Sequence, residues 1–164
     1  ATRPRWPRLR VSDMPSNADL LHHLREMLID EGIVRRPPVV DDAYPMFIQP
    51  DGGAPAPGEK EPPENDDEMI LTIMDGGDIP SETFLGHIRR ATVDLYFRTA
   101  KGKTPDAMDL EPQINALIVD KWAWDMAGLF VLESKLWAGM QQVRNAPGDG
   151  TTWVVKFYFE IYRD

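Results

Sequence analysis

The stretch 93–109, VDLYFRTAKGKTPDAMD, reads as a strand, a turn and the start of a helix, and its turn decides how the chain is read. Gly102-Lys103-Thr104 after a strand matches the end of a P-loop, whose amides and lysine cradle a nucleotide's phosphates. That loop needs a glycine five positions before Gly102, where the backbone wraps a phosphate. Phe97 stands there, inside the strand pattern, and its ring fills the space. Pro105 follows at once and suits the first position of a helix. The turn is therefore a strand-to-helix connection, with Lys101 and Lys103 exposed on either side of Gly102.

Working back from the turn, residues 88–98 alternate. Ala91, Val93, Leu95 and Phe97 share one face; Arg90, Thr92, Asp94, Tyr96 and Arg98 share the other. That pattern predicts a half-buried strand with a polar outer face. Forward from the turn, the spacing predicts a helix over about 106–121, with Leu110, Ile114, Leu117, Ile118 and Trp122 on one face. Pro112 either kinks it or moves its start to Asp109. Ser16–Gly32 is the clearest helix. Ser16 can cap it, Leu20, Leu21, Leu24, Met27 and Leu28 form its apolar stripe, and Gly32 can end it with Ile33 packed back on Leu28. A further strand is predicted at 43–49, MILTIMDGGD (69–78) reads as a strand followed by a Gly-Gly turn, and extended segments are predicted at 129–134 and 136–143. TTWVVKFYFEIYRD (151–164) is the strongest strand, with Trp153, Val155, Phe157, Phe159 and Ile161 on one side. Helix, strands, helix, strands predicts an α+β domain over 16–164: a mostly antiparallel sheet with two main helices packed on one face.

Composition bounds the function. At 164 residues the prior favours one domain. There is no cysteine, so disulfides and thiolate metal sites are excluded. No apolar run reaches the length of a membrane span and no signal-like start is present, so a soluble, cytoplasmically made protein is expected. A net charge of −9 argues against a general nucleic-acid binder. Residues 1–15 run against that charge. Arg3, Arg5, Arg8 and Arg10 give an extended, proline-broken segment four cations. It reads either as a frayed terminus or as an arm lying on a partner, with Trp6 as its anchor. Residues 50–68, PDGGAPAPGEKEPPENDDE, hold too little apolar content to pack and read as a mobile Pro/Gly/acidic loop.

No catalytic constellation is visible. His22 and His23 are adjacent on a helix, and His22 with Glu26 reads as solvated rather than as a metal pair. The acids of 50–68 lack EF-hand spacing. Asp66-Asp67-Glu68 has nothing to hold it within catalytic tolerance, and the serines lack a nucleophile elbow. No enzyme activity, cofactor or metal is expected, and function is sought in surfaces.

The order of elements resembles that of the tail terminator proteins of long-tailed phages. The resemblance is carried by ADLLHHLREMLIDEGI, EMILTIMDGG, RRATVDLYFRTAKGKTPDAM, EPQINALIVD and TTWVVKFYFEIYRD, and covers roughly 17–164. It implies a homo-oligomer, usually a six-membered ring, that sits on the end of the tail tube and stops its polymerisation. The ring then presents a surface for the head at the head–tail junction of the virion. Its partners would be copies of itself, the tail tube protein and a head-completion or stopper protein. Genomic DNA would pass through without specific binding, which suits an acidic chain. No membrane partner is expected. Arg89, Arg90, Arg98, Lys101 and Lys103 are the candidates for contacts between subunits, and Arg3, Arg5, Trp6, Arg8 and Arg10 for an arm on a partner. Two other readings stand beside it: another neck component, such as a stopper or head-completion protein, and a small enzyme whose site the sequence hides.

Overall fold

The computed structural model describes residues 17–37, 42–50, 55–63, 68–79, 88–99, 104–143 and 151–162. Its centre is the pair β4 (Ile88–Thr99) and β7 (Thr151–Tyr162), antiparallel from Ile88 opposite Tyr162 to Thr99 opposite Thr151. Their alternation is the alternation of the sequence. Ala91, Val93, Leu95 and Phe97 lie beside Phe159, Phe157, Val155 and Trp153, and the first seven of these are fully buried. Each large side chain buried in this way contributes about 1.5–3 kcal/mol, which is what holds the register.

Around this pair the remaining strands are β1 (Val34–Arg35), β2 (Tyr44–Gln49), β3 (Ile70–Ile79), β5 (Lys121–Met126) and β6 (Leu129–Val143). The helices are α1 (Asn17–Asp30) and α2 (Thr104–Ile118). One seven-stranded sheet results, in the order β1-β2-β3-β4-β7-β6-β5. From β3 through β5 every pairing is antiparallel, whereas β1–β2 and β2–β3 are parallel.

The expected α+β layering, a sheet with two main helices packed on one face, is corrected here. The protein is mostly β: more than half strand and about a quarter helix, in a sheet curled into a half-barrel. α1 touches β1, β2 and β3 and also β5, which stand at opposite ends of the strand order. His23 Nδ1 even lies 2.9 Å from the carbonyl of Ala127, beyond β5. A flat sheet could not bring both ends to one helix. The curl follows from long strands, which accumulate twist, and from register shifts that add more: one in β3 between Asp75 and Gly77, and three in β6. The β3 shift has a steric requirement as well. A Cβ on Gly76 would stand 2.5 Å from Thr92 Oγ1 and 2.9 Å from its carbonyl oxygen, so only glycine lets β3 approach β4 there.

Four local readings also change. β3 continues through Gly76-Gly77 to Ile79, with a register shift where a turn is expected. Trp122 belongs to β5, not to the apolar face of a helix, and is 67% exposed. α2 begins at Thr104 and runs through Pro112. The segments at 129–134 and 136–143 are one continuous strand. The α1 terminus follows its sequence signal. Gly32 takes φ +76° and the Ile33 amide donates to the Leu28 carbonyl at 3.0 Å.

Candidate functional site

With the helices and the odd-numbered side chains of β4 and β7 turned inward, the chemistry of the sheet lies on its outer face and at its two edges. On the outer face the charges pair across strands in register. Lys156 Nζ is 3.3 Å from Asp94, and Arg90 Nε is 3.4 Å from Glu160. Arg98 donates to the Pro63 carbonyl, and at the end of β4, on the odd-numbered face, Arg89 Nε stands 3.4 Å from Asp78 on β3. The three arginines read from the sequence as contacts for a neighbour thus have partners within their own subunit. Lys101, Lys103, Arg3, Arg5, Trp6, Arg8 and Arg10 lie outside the described residues.

Tyr158 is the hub of this face. Its hydroxyl donates to Glu160 at 2.5 Å. Its ring stacks on Trp137, with centroids 5.4 Å apart at 20°, and Lys135 Nζ lies 4.8 Å over the same ring. Burial of the phenol, then the bond to Glu160, pushes its pKa well above the usual tyrosine value, so it remains a donor at any physiological pH. Nearer β2, a shallow cleft of about 390 Å³ is lined by Thr72, Met74, Tyr96 and Arg98, with Glu61 and Pro62 along its rim.

β1 covers β2 only at Tyr44 and Pro45, and beyond them the β2 edge of the sheet is closed by the chain itself. Arg25 of α1, only 2% exposed, donates from Nη1 to the Met46 carbonyl at 3.3 Å. It also grips Glu59 in a two-pronged ion pair at 2.8 and 2.6 Å. The Ala56 amide donates to the Ile48 carbonyl at 3.5 Å, and Ala56 is buried. Residues 55–63, inside the stretch read as the 50–68 loop, therefore lie along β2 as a strap. A parallel β2–β3 pair needs a crossover connection, and this strap is part of it. The Arg25 bond holds the Glu59 carboxyl below its ordinary range. His22 Nδ1, 3.8 Å from Glu59, is held below its ordinary value by burial first and by the Arg25 charge second.

The β6 edge is finished differently. β5 pairs with β6 only as far as Lys121 opposite Ser134. At that junction Ser134, fully buried, donates to the last carbonyl of α2, Ile118, at 2.6 Å and accepts from Trp124 Nε1 at 3.0 Å. Beyond it, residues 135–143 pair with β7 on one side and with no described strand on the other. Leu136 is 38% exposed and Trp137 50%. The left-handed residues Asp120 and Ala127 bracket β5 and Ala123 lies within it, each costing a non-glycine residue roughly 1–2 kcal/mol.

Among the described residues no group of three or more His, Asp or Glu could hold a metal, and Glu26 pairs with Arg36 rather than with His22. No described helix is long and apolar enough to cross a membrane. Sequence reasoning missed Arg25, Ser134, Trp137 and Tyr158. The signal for Trp137 was present in KLWAGMQQV, an apolar strand segment with a single charge; for Arg25, inside an apolar helix stripe, no local signal exists.

No family model matches the sequence, and no curated protein matches it. A solved chain whose name states neither organism nor function is similar in fold, with a TM-score of 0.57 and 14% identity, covering 89% of this chain and 96% of that one. At that identity the likeness concerns the fold alone.

Proposed function

We propose that this chain is a structural subunit of a phage tail: a tail terminator that assembles into a ring, caps the tail tube and joins it to the head connector. The observation that supports assembly is the placement of exposed apolar side chains. Trp122, Leu136 and Trp137 all sit on the β5–β6 hairpin at one end of the sheet. Leu136 stands opposite Phe157 and Trp137 stacks on Tyr158, so this end of the sheet is apolar on both faces, and of the exposed large apolar side chains among the described residues only Met108, on α2, lies elsewhere; such a concentration marks an interaction site. The order of elements that resembles the terminators supplies which assembly it is. The chain carries a net charge of −9, and a ring of such subunits would let DNA phosphates slide past its wall.

The test uses the full chain and purified tail tubes. Negative-stain images are expected to show rings in the protein alone and a single capped end on each tube, with no further growth after added tube protein. Tubes that stay open and keep growing would refute the reading. Binding to portal-bearing heads in place of tubes would move the assignment to a stopper.

A further inference from the structure

We propose that the edge of β6 that no described strand covers, residues 135–143, is where a second copy of this chain adds a strand. The inference rests on the self-assembly reading above and names its contact. A strand paired on one side turns half of its N–H and C=O groups outward, and such a row is a template for another strand. This row spans nine residues, roughly 30 Å at strand spacing. The chain does not leave edges open by default. At β2, Arg25 and Ala56 occupy the carbonyls of Met46 and Ile48. Nothing comparable occupies 135–143 among the described residues.

Charge identifies the occupant. Each copy carries −9, so two copies repel over most of their surface. From Ser134 to Gly148 the chain has no Asp or Glu, and no other run in it is as long without one. Along the edge itself the only charge is Lys135. An acidic copy therefore meets least repulsion here, and its approach buries Leu136 and Trp137. The incoming strand would continue the line of β5, which ends opposite Ser134. The register shifts between Leu136 and Ala138 and between Ala138 and Gln141 twist the edge, so only a strand of matching curvature can follow it. That restricts pairing to a built partner.

The test places negative charges on the edge, restoring the repulsion it lacks: Leu136→Glu with Gln141→Glu, in the full chain. Mass photometry and sedimentation velocity would follow assembly, circular dichroism the fold, and hydrogen exchange the amides of 135–143. The wild type is expected to assemble, with those amides at least tenfold slower in the assembly than in the dilute monomer. The variant is expected to keep its circular dichroism and stay monomeric. Rings that form equally well in the variant, with 135–143 exchanging at the monomer rate in wild-type rings, would overturn the edge contact and leave the ring reading standing. A wild type that is monomeric at every concentration overturns both. Protection of 135–143 that arises only after tail tubes are added overturns the second copy as occupant. If the variant fails to fold, wild-type exchange alone decides the matter.

Discussion

At the β2 end of the sheet the carbonyls of Met46 and Ile48 meet Arg25 and Ala56; at the β6 end residues 135–143 meet β7 on one side and no described strand on the other. Both are edges of one sheet, and both present backbone groups able to pair. Closing the first required taking a guanidinium out of water to 2% exposure, with its Nε left without a hydrogen-bond partner. Desolvating a cation is costly even when it is paired. Among the described residues the β6 edge has no such closure, and the sequence there differs in being free of acid and carrying exposed Leu136 and Trp137.

The contrast is tested most severely by Arg25→Ala. It strands Glu59 and the Met46 carbonyl and unfastens the strap, and an expected loss of about 3 kcal/mol follows from breaking a buried pair. Urea denaturation measures it. Arg25→Met, which keeps the apolar stem, should cost less than Arg25→Ala, and an equal cost would show that packing and not the charge closes the edge.

Next in size is Ser134→Ala, at the point where β5 stops covering β6. It leaves the Ile118 carbonyl and Trp124 Nε1 without their partner, for an expected loss of about 1–3 kcal/mol. Trp124 fluorescence should shift in the same variant, reporting the released indole. An unshifted emission maximum would mean that the bond does not fix the ring.

The strap should also respond to acid. Both groups beside Arg25 have folded pKa values below their ordinary ones, so both bind protons less readily when folded, and stability is lost as pH falls. His22 acts first, below its ordinary 6.5, and Glu59 second, below its ordinary 4.5. Denaturation midpoints from pH 7.5 to 3.5 should fall in that order. Glu59→Gln is expected to flatten the lower part of the curve and His22→Gln the upper part. Hydrogen exchange at 55–63 that is insensitive to pH, after correction for the intrinsic rate, would show that the strap is held by something other than this ion pair.

The smallest effect is at the open edge. Leu136→Glu should change the stability of the monomer by less than about 0.5 kcal/mol, because the side chain is already 38% exposed. A loss near that of Arg25→Ala would mean that the fold of the monomer depends on the β6 edge as much as on the β2 edge.

Local pattern was enough for the elements whose burial repeats along the chain. β4 and β7 alternate at period two, and their buried faces are the residues that period selects. The end of α1 follows from Gly32, since a left-handed residue there needs no side chain to be moved. The rest came from contacts between distant segments. Trp122 fits a helical stripe as well as a strand, and only pairing of Trp122 with Glu133 settles it as β5. Nothing in the short run YPMFIQ says that β2 will lie parallel to β3, and the expected layered arrangement gave way to a curled sheet whose two ends both reach α1. The closing of the β2 edge joins Arg25 to Glu59, 34 residues apart, and the curl joins His23 to Ala127, 104 residues apart. Periodicity reports which side of one element is buried. Which elements stand next to one another, and which edge is left over, is set by free energies of contact between residues that no local window contains.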